Sequence, residues 1–203
     1  MATFRLRGVT VRHLTGSRAA ALHALDLTIG AGEQVALIGP SGAGKTTLLA
    51  TLACAHQPSE GTLEILGKEP WHLPHAARHR LRARLFLAPQ TPPLPARQRV
   101  VTAVLAARLP HWTLWQALKS LVRPQDPDAA HAALSRFSLG DKLYARVDRL
   151  SGGERQRCGL ARLLLSDAQA LLVDEPISAL DPALARHTLA TLRQEAAQRN
   201  ATL

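Results

Sequence analysis

The sequence predicts an α/β fold interrupted by a block of helices. Three short apolar runs, at residues 35–38, 85–88 and 170–173, are too short for helices and are typical of buried strands. A glycine-rich loop and a helical pattern follow the first run, and residues 99–165 show a helical pattern almost throughout. With 46% hydrophobic and 20% charged residues among 203, the composition is that of a globular chain rather than a disordered one.

The first half of the chain is predicted to contain mainly strands. The loop that starts at Gly39 leads into a predicted helix over residues 46–55, which turn-forming residues end. The proline-rich residues 89–95 cannot be helical and are interpreted as a linker. The predicted strands of this half are residues 9–11, 25–29, 35–38 and 85–88.

The second half is predicted to be mainly helical. Prolines and glycines break the helical block at residues 110, 123–127, 140 and 152–153. After the strand at residues 170–173, a last helix is predicted over residues 182–198. Asp181 is its expected N-cap, and Pro182 occupies its first position.

Charge and cysteine content narrow the class of protein. There are 25 Lys and Arg residues against 15 Asp and Glu residues, so the net charge is +10, which favours an anionic partner such as a nucleotide, a nucleic acid or a lipid surface. Cys54 and Cys158 form no Cys-x-x-Cys pair, which indicates neither a disulfide framework nor a zinc site, and favours a reducing cytosol. No apolar run approaches the roughly 18 to 20 residues of a membrane span, and the amino terminus lacks a signal-peptide core. We expect a chain that is soluble or at most peripheral to a membrane.

One segment fits the phosphate-loop pattern G-x-x-x-x-G-K-[ST] in its required context between a strand and a helix. Its glycines let successive backbone N–H groups turn toward a phosphate, the start of the helix faces the same anion, and Lys45 adds a positive charge. The Thr46 hydroxyl is the expected Mg²⁺ ligand. The alternative, a glycine-rich turn with a solvated lysine, is disfavoured by the context. The candidate nucleotide-binding residues are Gly39, Pro40, Ser41, Gly42, Ala43, Gly44, Lys45, Thr46 and Thr47.

Two adjacent carboxylates, Asp174 and Glu175, follow the apolar run at residues 170–173. An acid pair at the end of a buried strand favours a cation nearby, and Mg²⁺ fits that requirement. We interpret Asp174 as a metal ligand and Glu175 as the group that orients or deprotonates the water attacking a γ-phosphate. A solvated turn after a strand is the competing interpretation.

A second candidate anion site lies at residues 150–155, where a serine and two glycines precede a helix. Together with the other motifs, it makes the chain resemble the ATP-binding subunits of ABC transporters over essentially its whole length. The motifs that carry the resemblance, in order, are the phosphate loop, Gln90, Leu-Ser-Gly-Gly-Glu at 150–154, Leu-Leu-Val-Asp-Glu at 171–175 and Ser-Ala-Leu-Asp at 178–181.

The resemblance implies a P-loop NTPase (RecA-like) core with a small antiparallel β subdomain and an inserted helical subdomain. The core is expected at residues 1–90 and 166–203, and the insertion at residues 91–165. By resemblance, Gln90 senses Mg²⁺ and the γ-phosphate and touches a membrane subunit. Ser151, Gly152 and Gly153 bind the γ-phosphate of ATP held by the opposite subunit, and Asp181 links the two sites. The resemblance therefore implies a head-to-tail homodimer that binds two ATP molecules.

A narrower resemblance, carried by residues 104–121 and 143–150, is to the phosphonate-import ATP-binding subunits. It implies an ATPase on the cytoplasmic face of the inner membrane, with integral membrane permease subunits as partners, a solute-binding protein as an indirect partner, and no nucleic acid. Trp112 and Trp115 are interpreted either as partner contacts or as packing within the helical block. The Arg residues at 78, 80, 82 and 84 are interpreted as facing phospholipid or a membrane subunit, or as a solvated basic surface, which is the favoured interpretation.

Two departures from the family pattern leave a second function open. His13 stands where the family usually has an aromatic residue that stacks on adenine. The family's switch histidine follows the Asp-Glu pair by some 30 residues, whereas this sequence ends at Leu203, which suggests a truncated or shortened chain; His187 is interpreted as a surface histidine. The alternative is a regulatory or vestigial subunit with impaired hydrolysis. A DNA-associated ABC ATPase is disfavoured because the helical block has neither heptads nor cysteine pairs.

Overall fold

The computed structural model describes residues 2–12 and 20–203, which divide into two compact units. One unit contains the described residues of the range 1–87 together with Gln169–Asp174 and Ala196–Leu203. The other contains Ala88–Ala168 and Glu175–Glu195.

An antiparallel sheet of three strands dominates the first unit. The strands are β1 (Ala2–Arg12), β2 (Ala20–Gly30) and β3 (Glu60–Ile65), in the order β2-β1-β3. Phe4 lies opposite Ile29 on one side and Ile65 on the other, and all three are buried in the core. The antiparallel subdomain and its first two strands are therefore confirmed. The sequence analysis missed β3, whose buried residues Leu63 and Ile65 alternate over only four positions.

The phosphate-loop helix and two further strands belong to the same unit. Helix α1 (Lys45–Leu52) packs Leu48, Leu49 and Leu52 into the core. The strands predicted at residues 85–88 and 170–173 are present as β4 (Leu85–Ala88) and β5 (Ala170–Val173), and they pair with each other. Beside β5, the amide of Leu171 donates to the carbonyl of Thr202 at 2.7 Å. Helix α1 is shorter than the predicted helix at residues 46–55, because the chain leaves helical geometry at Cys54, whose φ is +57°.

The predicted buried strand at residues 35–38 is not a strand, and this prediction is wrong. The amide of Val35 donates to the Leu203 carbonyl at 2.8 Å, and the amide of Leu203 donates to the Glu33 carbonyl at 3.0 Å. Among the residues that the structure describes, no backbone hydrogen bond reaches residues 36–38, and the Ile38 side chain is 95% exposed. An apolar run becomes a strand only where another strand pairs with it.

A short helix that the sequence analysis did not predict, α2 (His75–Arg82), follows β3 in the first unit. The guanidinium of Arg78 lies 5.0 Å from the centre of the Trp71 ring, a cation–π contact. Arg80 and Arg82 are exposed.

The second unit contains the helical block. Helices α3 (Val100–Leu105), α5 (Pro127–Ser135) and α6 (Gly152–Leu164) pack together around buried residues such as Val104, Leu134 and Leu160. Helix α4 (Leu114–Val122) belongs to the same unit. Short 3-10 turns at Ala106–His111, Gly140–Lys142 and Val147–Arg149 interrupt the block, in agreement with the breaks predicted from Pro110 and Gly140.

The last helix, α7 (Pro182–Arg199), begins where the sequence predicts. The Asp181 carboxylate accepts hydrogen bonds from the amides of Ala183 and Leu184, both at 3.0 Å, which confirms it as the N-cap. No helix among the described residues combines the length and apolar character needed to cross a membrane. Cys54 and Cys158 are free and buried, and burial raises the pKa of their thiols to about 11 and about 12.

Candidate functional site

The phosphate loop turns tightly at two glycines before helix α1. Gly42 and Gly44 have φ of +81° and +84°, a region that residues with a Cβ rarely adopt. At Gly44 an added Cβ would also lie 2.4 Å from the Ala21 carbonyl oxygen, so the backbone passes too close for any side chain. Gly44 is the residue that precedes α1, so the first amides of the helix, which lack intrahelical acceptors, face the loop. This arrangement is the backbone part of an anion site.

The Lys45 side chain folds back over this loop. Its ammonium donates to the carbonyl oxygens of Gly39 and Pro40, at 2.8 and 2.9 Å. The positive charge therefore lies at the loop itself, where an anion bound to the amides would meet it.

The Thr46 hydroxyl and Asp174, which are 128 positions apart in sequence, meet in the first unit. The hydroxyl donates to Asp174 Oδ2 at 2.8 Å, and Asp174 as a whole residue is only 7% exposed. Within residues 2–12 and 20–203, no group of three or more His, Cys, Asp or Glu side chains is placed to hold a metal ion. A hydroxyl and one carboxylate are the hard oxygen donors that Mg²⁺ uses when substrate phosphates supply the other ligands, so these residues fit that ion.

Glu175 and Gln90 meet in the second unit. The Gln90 amide nitrogen donates to Glu175 Oε2 at 2.8 Å, across 85 positions of sequence. Glu175 is exposed, and its φ of +47° places a non-glycine residue in the left-handed region. An exposed carboxylate held in an uncommon backbone conformation and hydrogen bonded by an amide is suited to orienting a water molecule.

Sequence reasoning missed Gln156, which holds the backbone of Glu175. Its amide nitrogen donates to the Glu175 carbonyl oxygen at 2.6 Å and lies 3.4 Å from the Ser178 hydroxyl. The Gln156 side chain is buried, and its Oε1 has no hydrogen-bond partner among the described residues. The only signal in the sequence was its position on the first turns of the helix that follows the Ser-Gly-Gly motif.

The Ser-Gly-Gly motif forms the start of helix α6, as predicted. The Ser151 hydroxyl accepts from the Glu154 amide at 3.2 Å, and Glu154 Oε2 accepts from the Ser151 amide at 2.8 Å, a reciprocal capping box. The amide of Ser151 is the main reason why the pKa of Glu154 lies below its ordinary value of 4.5. A Cβ at Gly152 would meet open space, whereas one at Gly153 would lie 3.0 Å from the Ala179 carbonyl oxygen.

Three further residues from the sequence analysis add less to the description of the site. Asp181 is exposed, and the amides that it caps, that of Leu184 first, lower the pKa of its carboxyl. His13 lies outside the described residues. His187 is on the surface, as predicted, with its Nε2 2.9 Å from the Arg136 carbonyl oxygen.

The chain belongs to the ABC transporter family, whose model matches residues 22–178. The family resemblance drawn from the motifs is therefore confirmed. Among curated relatives, the chain is 59% identical over 201 residues to the Phosphonates import ATP-binding protein PhnC of Polaromonas sp. strain JS666, covering 98% of this chain and 73% of that protein. It is also 59% identical over 198 residues to Phosphonates import ATP-binding protein PhnC 2 of Pseudomonas aeruginosa strain UCBPP-PA14, with the same two coverages.

Solved structures show the same fold. The chain superposes with a TM-score of 0.81 and 24% identity on the ATP-binding cassette MJ0796, solved as a dimer in a post-hydrolysis state with ADP and Pi, over 98% of this chain and 85% of that one. A putative ABC transporter ATP-binding protein from Pyrococcus furiosus gives a TM-score of 0.77 and 22% identity, over 98% and 88%. These matches confirm the fold class predicted from the sequence.

Proposed function

We propose that the chain is the ATP-binding and hydrolysing subunit of an ABC importer for phosphonate or a similar oxyanion. The observation that carries the proposal is the hydrogen bond from Thr46 to Asp174, because it joins the phosphate loop to the carboxylate that a nucleotide-bound cation would need. The identity of 59% to phosphonate-import proteins supports the substrate class. The domain division is proposed as a nucleotide-binding core, residues 1–90 and 166–203, with a helical insertion at residues 91–165.

Binding is proposed to rest on the loop residues 39–47. The amides at the start of α1 donate to the phosphate oxygens, and the Lys45 ammonium moves from the carbonyls of Gly39 and Pro40 to the β- and γ-phosphates. Thr46 and Asp174 would hold Mg²⁺, which neutralises charge on the phosphates when it is bound. His13 is proposed to lie against the adenine.

Hydrolysis is proposed to need Glu175 and Gln90. Glu175 accepts a proton from the attacking water, and Gln90, already bonded to Glu175 Oε2, keeps that carboxylate oriented until ATP is bound. Gln90 is also proposed as a residue that senses the metal and the γ-phosphate.

The functional unit is proposed to be a homodimer. Ser151, Gly152 and Gly153 lie at the start of helix α6, where backbone amides can face an anion. They are proposed to complete the ATP site of the opposite subunit, and Asp181 is proposed to link the two sites. Closure of this dimer around ATP would drive integral membrane permease subunits at the cytoplasmic face of the inner membrane, with a solute-binding protein delivering the oxyanion on the other side.

Calorimetric titration of the chain with ATP tests the proposal. Lys45→Ala should weaken ATP binding at least about tenfold, because the loop keeps its dipoles but loses its full positive charge. The matched control is Lys68→Ala, an exposed lysine outside the loop, which should bind like the unmodified chain. Equal affinity of both variants would contradict the phosphate-site assignment. Measured turnover of ATP separates an active subunit from a regulatory or vestigial one.

A further inference from the structure

Helix α4 exposes its apolar side. Leu114, Trp115, Leu118, Leu121 and Val122 are 77%, 82%, 49%, 59% and 90% exposed. Their spacing of i, i+1, i+4, i+7 and i+8 places them on one stripe of the helix.

The side of α4 that faces the protein is small and polar. Ser120 is buried and Ala117 is half-buried, whereas Gln116 and Lys119 on the remaining side are exposed. The helix is well formed, with a capping box between Thr113 and Gln116. A surface helix of a globular protein normally turns its apolar stripe inward, so the orientation of α4 is inverted.

The sequence that leads into and through α4 is basic. In the unit that contains α4, residues 88–125 include five Lys and Arg residues and no Asp or Glu. Lys119 and Arg123, at the end of α4, are exposed, and neither forms an ion pair within the described part of the chain. Arg108 is paired with Asp126 at 2.9 Å.

These observations favour a lipid surface over a protein partner. Cytoplasmic loops of membrane proteins are rich in Lys and Arg, so such a loop would repel the basic residues at the end of α4. A second copy of α4 would bring the same basic residues together and would be repelled as well. The cytoplasmic leaflet carries anionic lipids that attract basic residues, and Trp favours the boundary between headgroups and acyl chains. We propose that α4 lies on an anionic membrane surface, with its apolar stripe at the acyl boundary and Lys119 and Arg123 at the headgroups.

The proposal does not depend on ATP binding or hydrolysis and is tested without nucleotide. The full chain is sedimented with vesicles of phosphatidylcholine alone or mixed with phosphatidylglycerol, and should bind the mixed vesicles more tightly. Leu118→Gln with Val122→Gln should weaken that binding about tenfold or more, because apolar burial drives interfacial insertion. Leu189→Gln, an exposed leucine on α7, is the matched control and should change nothing.

Two further measurements separate the possible occupants. Lys119→Glu with Arg123→Glu should abolish the preference for phosphatidylglycerol, and the vesicle-induced blue shift of tryptophan emission should disappear in Trp115→Phe. Circular dichroism checks that each variant is folded. The proposal is overturned if the unmodified chain does not bind the anionic vesicles, or if the Leu118→Gln, Val122→Gln variant binds them as tightly as the unmodified chain. It is also overturned if that variant loses only self-association or only binding to solubilised permease subunits.

Discussion

Replacing Gln156 by methionine tests whether this buried side chain positions Glu175. Methionine is unbranched and of similar size, so it fills the space but cannot donate a hydrogen bond. The Glu175 carbonyl oxygen would then keep only the longer contacts from the Ser178 hydroxyl, at 3.2 Å, and the Ser178 amide, at 3.3 Å.

The expected size of the effect follows from two terms. Losing a buried hydrogen bond as short as 2.6 Å costs about 1 to 1.5 kcal/mol net, and removing the unpartnered Gln156 Oε1 returns part of that cost. The left-handed backbone conformation of Glu175 costs about 1 to 2 kcal/mol. In the variant, the hydrogen bond from Gln156 no longer offsets this cost. We therefore expect the free energy of unfolding to fall by about 1 kcal/mol. A similar shift in the turn that holds Glu175 would lower kcat about fivefold.

Urea unfolding and steady-state ATPase assays on the same preparation measure both effects. KM for ATP should stay constant, because Gln156 is not part of the phosphate loop. Gln125→Met, at an exposed position, is the control and should alter neither quantity. An unchanged kcat in a Gln156→Met chain that has lost stability would refute a positioning role and leave only a structural one.

Substitutions at four other residues give specific expectations. Glu175→Gln keeps the shape of the side chain but removes the base, so ATP should bind while an ATP-bound dimer accumulates in size-exclusion chromatography; a variant that remains monomeric when saturated with ATP contradicts the catalytic assignment. Gly152→Asp puts a carboxylate into open space, so the monomer should keep its stability and ATP affinity and lose ATP-driven dimerisation, whereas Gly153→Asp should also lower the midpoint of thermal unfolding, since its Cβ meets the Ala179 carbonyl. Glu154 has a lowered pKa in the folded state, so its stabilising contribution is complete above its ordinary pKa of 4.5 and is lost as the pH falls through the folded value. The urea midpoint of Glu154→Gln should accordingly depend less steeply on pH in that acidic range than the midpoint of the unmodified chain. Equal pH dependence of the two midpoints would contradict a stabilising role of the Glu154 carboxylate in the capping box.

The structural features that the sequence predicted correctly are those that depend on local chemistry. The glycine-rich phosphate loop, the N-cap at Asp181 and the helix that starts after Ser151 were all predicted, and each depends on residues within a few positions of one another. Residues 35–38 have the composition of a buried strand, yet the composition of a run does not determine whether another strand pairs with it. The same limit explains β3, whose alternation is short and whose formation depends on pairing with β1.

The parts of the candidate site that could not be predicted are the contacts between residues of different motifs. Gln156 reaches the Glu175 carbonyl across 19 positions, and the backbone at Gly153 approaches the Ala179 carbonyl so closely that an added Cβ would lie 3.0 Å from its oxygen. Both contacts tie the start of helix α6 to the segment that carries Glu175. A displacement of one must therefore strain the other, because a buried amide bond and a close backbone approach leave little room for independent movement. In the proposed dimer, the start of α6 would contact the partner's ATP while Glu175 acts on the ATP of its own subunit. This connection gives each site a physical route by which to influence the other.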